Sequence, residues 1–135
     1  MSPESCDFAF AWLNKAYSDL AAAKVLIQGE SKLLDIGCYH CQQSAEKSLK
    51  GWLTAQEAVF PKTHQLTTIL DICIPLESKF NRFQTHAQSL SPFATEYRYP
   101  GDDFEPAPNE ANEALSFAEE IYDFCKHAIQ KAVNE

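Results

Sequence analysis

The chain is poor in glycine and has no long hydrophobic run. Four glycines among 135 residues predict few tight turns and hairpins. No apolar stretch reaches the roughly 18 residues that a membrane-spanning helix needs. Residues 1–7 carry two acids and no base, whereas a secretory signal begins with basic residues. We therefore expect a cytoplasmic protein that does not contact a membrane.

A surplus of positive charge is also missing. The net charge is −8, and residues 96–123 contain nine acids against one base, Arg98. Proteins that bind the nucleic-acid backbone usually carry more bases than acids. We therefore expect no DNA partner, although a local basic pocket remains compatible with this composition.

The five cysteines are odd in number and lie far apart for the most part. Without a secretory signal, this count favours reduced thiols over a disulfide framework. Cys38 and Cys41 are three residues apart on the apolar face of a predicted helix, and no second Cys/His pair has zinc-ligand spacing. We interpret them as core residues and expect neither a metal nor another cofactor.

Apolar residues recur with helical period along the whole chain. A first helix is predicted over Pro3–Gln28 and a second over residues 33–58. Thr63 is the expected N-cap of a third, shorter helix that Pro75 ends or interrupts. The inward residues of the first helix are predicted to be Phe8, Trp12, Ala16, Leu20, Ala23 and Ile27, and those of the third Leu66, Ile69, Leu70 and Cys73.

The second half of the chain continues this pattern. A stripe from Leu76 to Tyr97 predicts either one long helix or two collinear pieces hinged at Ser91 and Pro92. Residues 99–108 are predicted to be a loop, after which Asn109 caps a last helix. The expected fold is all-α: an antiparallel up-and-down four-helix bundle with an additional short helix, in one domain over residues 1–135.

The second helix carries an unusual set of polar residues. Gln43, Lys47 and Lys50 lie on one face, because they follow one another at four and three positions. Glu46 lies on an adjoining face and can pair with Lys50 in the favourable i,i+4 order. Two interpretations remain open: a solvated helix face, or polar groups directed at a phosphate or a partner helix.

Two further segments are candidates for anion binding. His64 is either an incidental histidine near the start of the third helix or a hydrogen-bond donor to an anion or carboxylate. Arg98 stands between Tyr97 and Tyr99. It either pairs with a nearby carboxylate at a helix end or holds a phosphate or carboxylate with its planar guanidinium.

Four motifs, taken in order, resemble the HEPN domain (higher eukaryotic and prokaryotic nucleotide-binding). They are Ala16-x-x-Asp19-Leu20-x-x-Ala23, Gln42-Gln43-x-Ala45-Glu46-Lys47-x-Leu49-Lys50, Lys62-Thr63-His64-x-Leu66 and Tyr97-x-Tyr99-Pro100 around Arg98. The resemblance implies an up-and-down helical bundle that forms a homodimer. It also implies a minimal nucleotidyltransferase as partner, in a toxin–antitoxin-like pair.

Some HEPN proteins are ribonucleases with an arginine followed, after four to six residues, by a histidine. After Arg98 the matching positions hold Asp103, Phe104 and Glu105, and Arg82 is separated from His86 by only three residues. The acid/base pair that such cleavage needs is therefore not found in the expected form.

Three functions follow as hypotheses. The first is a non-catalytic module that binds a nucleotide or a nucleotidyltransferase partner through a cleft. The second is a divergent ribonuclease, and the third is a purely structural homodimer. The residues assigned to the cleft are Gln43, Lys47, Lys50, His64, Tyr97, Arg98 and Tyr99.

Overall fold

A computed structural model describes residues 1–95 and 105–134 of the chain. The described part contains five α-helices and two 3₁₀ helices, η1 and η2. They are α1 (Pro3–Gln28), α2 (Leu34–Ala55), α3 (Leu66–Leu76), η1 (Ser78–Phe83), α4 (Gln84–Leu90), η2 (Ser91–Phe93) and α5 (Pro108–Val133). This confirms the predicted all-α fold.

Helix α1 has the predicted bounds. The Ser2 hydroxyl accepts a hydrogen bond from the Ser5 N–H, and Pro3 occupies the first helical position. The predicted inward position of Phe8 is wrong, because its side chain is 64 % exposed. Ala9 and Leu13 are buried there instead, since α2 approaches α1 closely where Ala9 faces Gly51.

Helix α2 is the central helix, packed against α1, α3, α4 and α5. It ends at Ala55 rather than at the predicted residue 58. The N–H of Ala58 bonds to the Leu53 carbonyl and the N–H of Glu57 to the Thr54 carbonyl, which is the Schellman arrangement. Glu57 takes the left-handed conformation (φ 57°) that glycine usually supplies, so no glycine marks this helix end.

The carboxylate of Glu57 joins this turn to the start of α1. Its Oε1 accepts hydrogen bonds from the Ser2 N–H and the Ser5 hydroxyl, both at 3.0 Å. The bond from the Ser2 backbone lowers the pKa of this carboxyl below its ordinary value. The C-terminal end of α2 and the N-terminal end of α1 are therefore tied together, as expected for antiparallel neighbours.

Helix α3 begins later than predicted. Gln65, not Thr63, is the N-cap, and the Thr63 hydroxyl accepts a bond from the Gln65 N–H instead, as in an ST turn. Pro75 lies inside the last turn, and the helix ends one residue later at Leu76. The four predicted inward residues of α3 are all buried.

The stripe predicted as one long helix, or as two collinear pieces hinged at Ser91 and Pro92, is divided into three short helices. Glu77 is extended (φ −151°, ψ 103°) and starts η1, which α4 and η2 then follow. The buried residues Phe80, Phe83, Ala87 and Leu90 match the predicted stripe, whereas Leu76 is about half exposed. The predicted apolar residues still lie on one buried side, because a 3₁₀ helix also places residues i and i+3 on the same side.

Helix α5 begins at Pro108, and its N-cap is Ala107 rather than the predicted Asn109. The Glu110 carboxylate accepts the Ala107 N–H at 3.1 Å, so an acid in the first turn performs the capping. Of the predicted loop 99–108, only residues 105–108 are described, and Pro108 already belongs to the helix.

Side-chain contacts define the direction of each element. Gly51 of α2 faces both Ala9 and Ile129, so the end of α2 meets the start of α1 and the end of α5. His86 of α4 bonds to Glu120, and Ser89 of α4 lines the same cavity as Glu113, so α4 runs antiparallel to α5. No helix in residues 1–95 and 105–134 combines the length and apolar character that crossing a bilayer requires.

Candidate binding site

The polar face of α2 is mostly buried and centres on the carboxylate of Glu46, whose side chain is 4 % exposed. Its Oε2 lies 3.1 Å from the Lys50 Nζ, which confirms the predicted i,i+4 pair. Its Oε1 lies 3.0 Å from the His64 Nδ1. One buried acid thus joins a lysine of its own helix to the histidine that precedes α3.

Two glutamines extend this cluster. The Gln42 Nε2 donates to the backbone carbonyl of His64 at 2.9 Å and lies 3.4 Å from the Glu46 Oε1. The Gln43 Nε2 donates to the Gln42 Oε1 at 2.7 Å. Because the His64 carbonyl is held by Gln42, the backbone before α3 is fixed against α2. We call Gln42, Gln43, Glu46, Lys50 and His64 the Glu46 cluster.

The ammonium of Lys50 has little contact with water, since its side chain is only 8 % exposed. Its Nζ lies 5.8 Å from the centroid of the Trp12 ring, within cation–π range. A buried ammonium needs a carboxylate partner, because desolvation of an unpaired charge is strongly unfavourable. Lys50 therefore stabilises the fold through its buried ion pair with Glu46.

Lys47 belongs to a second, separate ion-paired group. Its Nζ lies 2.6 Å from Asp19 Oδ2 on α1, and the His40 Nδ1 lies 2.8 Å from Asp19 Oδ1. The Lys47 side chain is a quarter exposed. Asp19 was not predicted as a site residue, although an acid between the inward residues Ala16 and Ala23 was a usable signal.

His64 differs from the other members of its cluster because its side chain is 72 % exposed. Its Nδ1 faces the Glu46 carboxylate and so carries the ring proton of the neutral tautomer. Its Nε2 has no hydrogen-bond partner in the part of the chain that is described. The imidazole is thus held by a buried acid while its other nitrogen faces solvent.

The structure therefore divides the predicted site residues. Gln43, Lys50 and His64 meet at Glu46, whereas Lys47 pairs with Asp19. Both lysines have carboxylate partners, so they do not form an uncompensated cationic cleft. Tyr97, Arg98 and Tyr99 lie outside the described residues.

The cysteine interpretation agrees with the structure for the pair on α2. Cys38 and Cys41 are completely buried, and burial raises the pKa of the Cys41 thiol far above its usual range, with Cys38 adding to the shift. Burial likewise raises the pKa of Cys73 to about 12. Such thiols stay protonated near neutral pH and are poor nucleophiles and metal ligands.

Arg82 and His86, the pair nearest to the ribonuclease spacing, have other contacts. The His86 Nε2 lies 2.7 Å from the Glu120 carboxylate, and its ring packs on Phe117. The Arg82 guanidinium lies 5.3 Å from the Phe83 ring and 5.5 Å from the Phe124 ring. The two side chains are therefore occupied by aromatic and carboxylate neighbours.

Comparison with known proteins agrees with this architecture. The sequence model of the HEPN domain matches residues 9–128. The crystal structure of an archaeal HEPN homologue is similar, with a TM-score of 0.69 and 26 % sequence identity over 90 % of this chain and 97 % of that chain. No curated protein matches the sequence. The chain belongs to the HEPN domain family.

Proposed function

We propose that this HEPN domain is a non-catalytic binding module that contacts a minimal nucleotidyltransferase through the surface around His64. The observation that carries this proposal is the contrast within the Glu46 cluster. Lys50 is buried and ion-paired, whereas His64 is bonded to the same carboxylate and remains 72 % exposed.

A side chain fixed before binding loses less conformational entropy when a partner arrives. The Glu46 bond to Nδ1 fixes the His64 ring, and the Gln42 bond fixes its backbone carbonyl. The Nε2 accepts a hydrogen bond when the ring is neutral and donates one when the ring is protonated. His64 therefore offers a prearranged polar contact to a protein surface.

The lysines favour a protein partner over a nucleotide at this surface. A phosphate is held by cations that keep an uncompensated charge, but Lys47 and Lys50 are paired with Asp19 and Glu46. Lys62 is exposed and has no carboxylate partner in the described part of the chain. One such lysine beside His64 suits an acidic rim on a partner better than a polyphosphate.

We also propose a homodimer. The resemblance to HEPN proteins supports it, and α1 has large apolar side chains on its surface. Phe8 is 64 % exposed, Tyr17 59 % and Val25 70 %. Light scattering at micromolar concentration should give twice the mass of the chain, and a monomer mass would contradict the dimer.

One observation favours the ribonuclease hypothesis as a second candidate. A carboxylate on Nδ1 with Nε2 open to solvent is the arrangement of a general base, and His64 has it. Against it stands the acidic segment 96–123, which repels an RNA backbone.

The test is co-expression of the chain with a minimal nucleotidyltransferase encoded beside it, followed by calorimetric titration of the purified proteins. A defined stoichiometry with no cleavage of single-stranded RNA by the chain alone supports the binding module. Absence of binding contradicts the module, and RNA cleavage that His64→Ala abolishes supports the second candidate instead.

A further inference from the structure

A polar groove lies between α3 and α4. It encloses about 220 Å³, which is less than the roughly 300–1,000 Å³ typical of small-molecule and cofactor sites. Thr67, Leu70 and Asp71 of α3 line one side, and Gln84 and Gln88 of α4 line the other. We call it the α3–α4 groove. Its size suits one inserted side chain rather than a nucleotide.

The spacing of the polar residues places them on the groove side of each helix. Thr67 and Asp71 are four residues apart on α3, and so are Gln84 and Gln88 on α4. Residues at this spacing share one face of a helix. Leu70 is buried and separates the groove from the core. Four polar side chains from two helices therefore surround one space.

These polar groups are largely unused by contacts within the fold. Asp71 is exposed and has neither an ion-pair partner nor a side-chain hydrogen bond in residues 1–95 and 105–134. Gln88 has no side-chain hydrogen bond in the same ranges. The Gln84 side-chain N–H donates to the Asn81 side-chain oxygen, which leaves the Gln84 oxygen as an acceptor. The groove thus offers a carboxylate, two amide oxygens and a hydroxyl group.

The net charge of the groove is negative. Asp71 is the only charged residue among the described residues that line it. The N-terminal end of α3 adds about half a positive charge near Thr67. Helix α4 adds none, because the Gln84 N–H is bonded within η1, which α4 continues. The nearest base along the chain, Arg82, lies over two phenylalanine rings and does not line the groove.

This charge and these acceptors exclude several classes of ligand. A phosphate or carboxylate group is repelled by Asp71. A metal ion needs several ligating side chains close together, and the described ranges contain no group of three such side chains. A guanidinium group, in contrast, is a planar cation that carries only N–H donors. It can therefore bond to the Asp71 carboxylate and to the glutamine oxygens of α4 at the same time.

We propose that the α3–α4 groove binds an arginine side chain of a partner protein. The guanidinium pairs with the Asp71 carboxylate on α3 and donates its remaining N–H groups to Gln84 and Gln88 on α4. A lysine ammonium fits less well, because it is a compact, strongly hydrated point charge. The partner's identity rests on the proposed function, in which a minimal nucleotidyltransferase docks at His64, but the preference of the groove for arginine does not.

The probe is Nα-acetylarginine amide, titrated into the full chain and followed by proton–nitrogen correlation spectra. Asp71→Asn removes the charge of the groove and keeps the side-chain shape, and the matched control is Asp123→Asn on α5. Both acids are exposed and have no ion-pair partner in the part of the chain that is described, so the two variants have equal net charge. We expect the parent to bind with a dissociation constant on the order of 1 mM. Asp71→Asn should bind about tenfold more weakly and the control within about twofold of the parent.

Two comparison probes test the preference for arginine. Nα-acetyllysine amide keeps the charge without the planar group, and Nα-acetylcitrulline amide keeps the shape without the charge. Each should bind at least about threefold more weakly than the arginine probe. The arginine probe should shift the side-chain amide signals of Gln84 and Gln88 and leave that of Gln28 on α1 in place. Equal affinity of the two variants, equal affinity of either comparison probe, or unmoved Gln84 and Gln88 signals would overturn the proposal.

Failure of the groove and failure of the proposed function are distinguishable. If the chain does not bind the nucleotidyltransferase, the proposed function fails, and the probe titration still decides whether the groove prefers arginine. If the two proteins bind, Asp71→Asn should weaken the complex about tenfold relative to Asp123→Asn. Equal affinity of these two variants for the nucleotidyltransferase would contradict an arginine contact with that partner.

Discussion

Removing the carboxylate of Glu46 should destabilise the fold more than any other single change in its cluster. Glu46→Ala leaves the Lys50 ammonium without its partner at 3.1 Å, in a position where the lysine side chain is only 8 % exposed. The variant also removes the acceptor of the His64 Nδ1 bond. The loss is dominated by the lysine, because the histidine is exposed and can bond to water.

Stranding one member of a buried ion pair costs about 3–5 kcal/mol. A domain of this size is typically stable by about 5–15 kcal/mol, so the variant should stay folded in water but unfold at much lower urea concentration. The double variant Glu46→Met with Lys50→Met removes both charges and keeps apolar volume. It should recover most of the loss, because apolar replacement of a buried pair is often neutral or stabilising.

Urea unfolding followed by circular dichroism measures these differences. The matched control is Glu119→Ala, which breaks the surface pair between Glu119 and Lys24 at 3.2 Å, with both side chains substantially exposed. That change should cost less than about 1 kcal/mol. The reasoning is refuted if Glu46→Ala costs no more than the control, or if the double variant is as unstable as Glu46→Ala.

Three further outcomes follow from buried groups. Gly51→Ala places a Cβ 3.0 Å from the Trp12 Cβ and 3.3 Å from the Ala9 carbonyl oxygen, so urea unfolding should show a loss of roughly 1–3 kcal/mol, not the gain that alanine usually gives in a helix. Iodoacetamide at pH 8 should modify the partly exposed Cys6 before Cys73, because burial raises the pKa of Cys73 to about 12; equal labelling by mass spectrometry would contradict this. The folded state keeps a proton on Cys73 that the unfolded chain releases above pH 9, so its stabilising contribution is complete below pH 9 and falls as pH rises towards 12. Cys73→Ala should make the fall in urea-unfolding stability across that interval less steep, while the buried thiols of Cys41 and Cys125, whose pKa values are also raised, keep part of the fall.

Much of the helical pattern was predictable because burial follows the period of the helix. The bounds of α1 and the inward residues of α3 needed only apolar spacing and capping residues. The breaks were harder to predict. Glu57 ends α2 in a conformation that its side chain does not favour. The 3₁₀ helix η1 buries Phe80 and Phe83 on one side, as an α-helix would, so the apolar spacing did not reveal it.

The polar face of α2 was predictable from the spacing of its residues, but the ion-pair partners of its lysines were not. A shared face was inferred for Gln43, Lys47 and Lys50, yet Lys47 pairs with an acid on α1 and Lys50 with one on α2. Which acid reaches a given lysine depends on how α1 packs on α2, and no spacing within one helix contains that information. The i,i+4 pair of Glu46 and Lys50 was local and was therefore predicted correctly.

We propose that the lysines of α2 stabilise the fold, whereas His64 contacts a partner protein. Affinity for the minimal nucleotidyltransferase and urea stability, both measured for His64→Ala and Lys50→Met, test it most directly. We predict that His64→Ala weakens binding about tenfold or more and costs little stability, since Lys50 and Gln42 still contact Glu46. Lys50→Met should lower stability and leave affinity unchanged. A stable Lys50→Met variant that no longer binds, beside a His64→Ala variant that binds normally, would contradict the account.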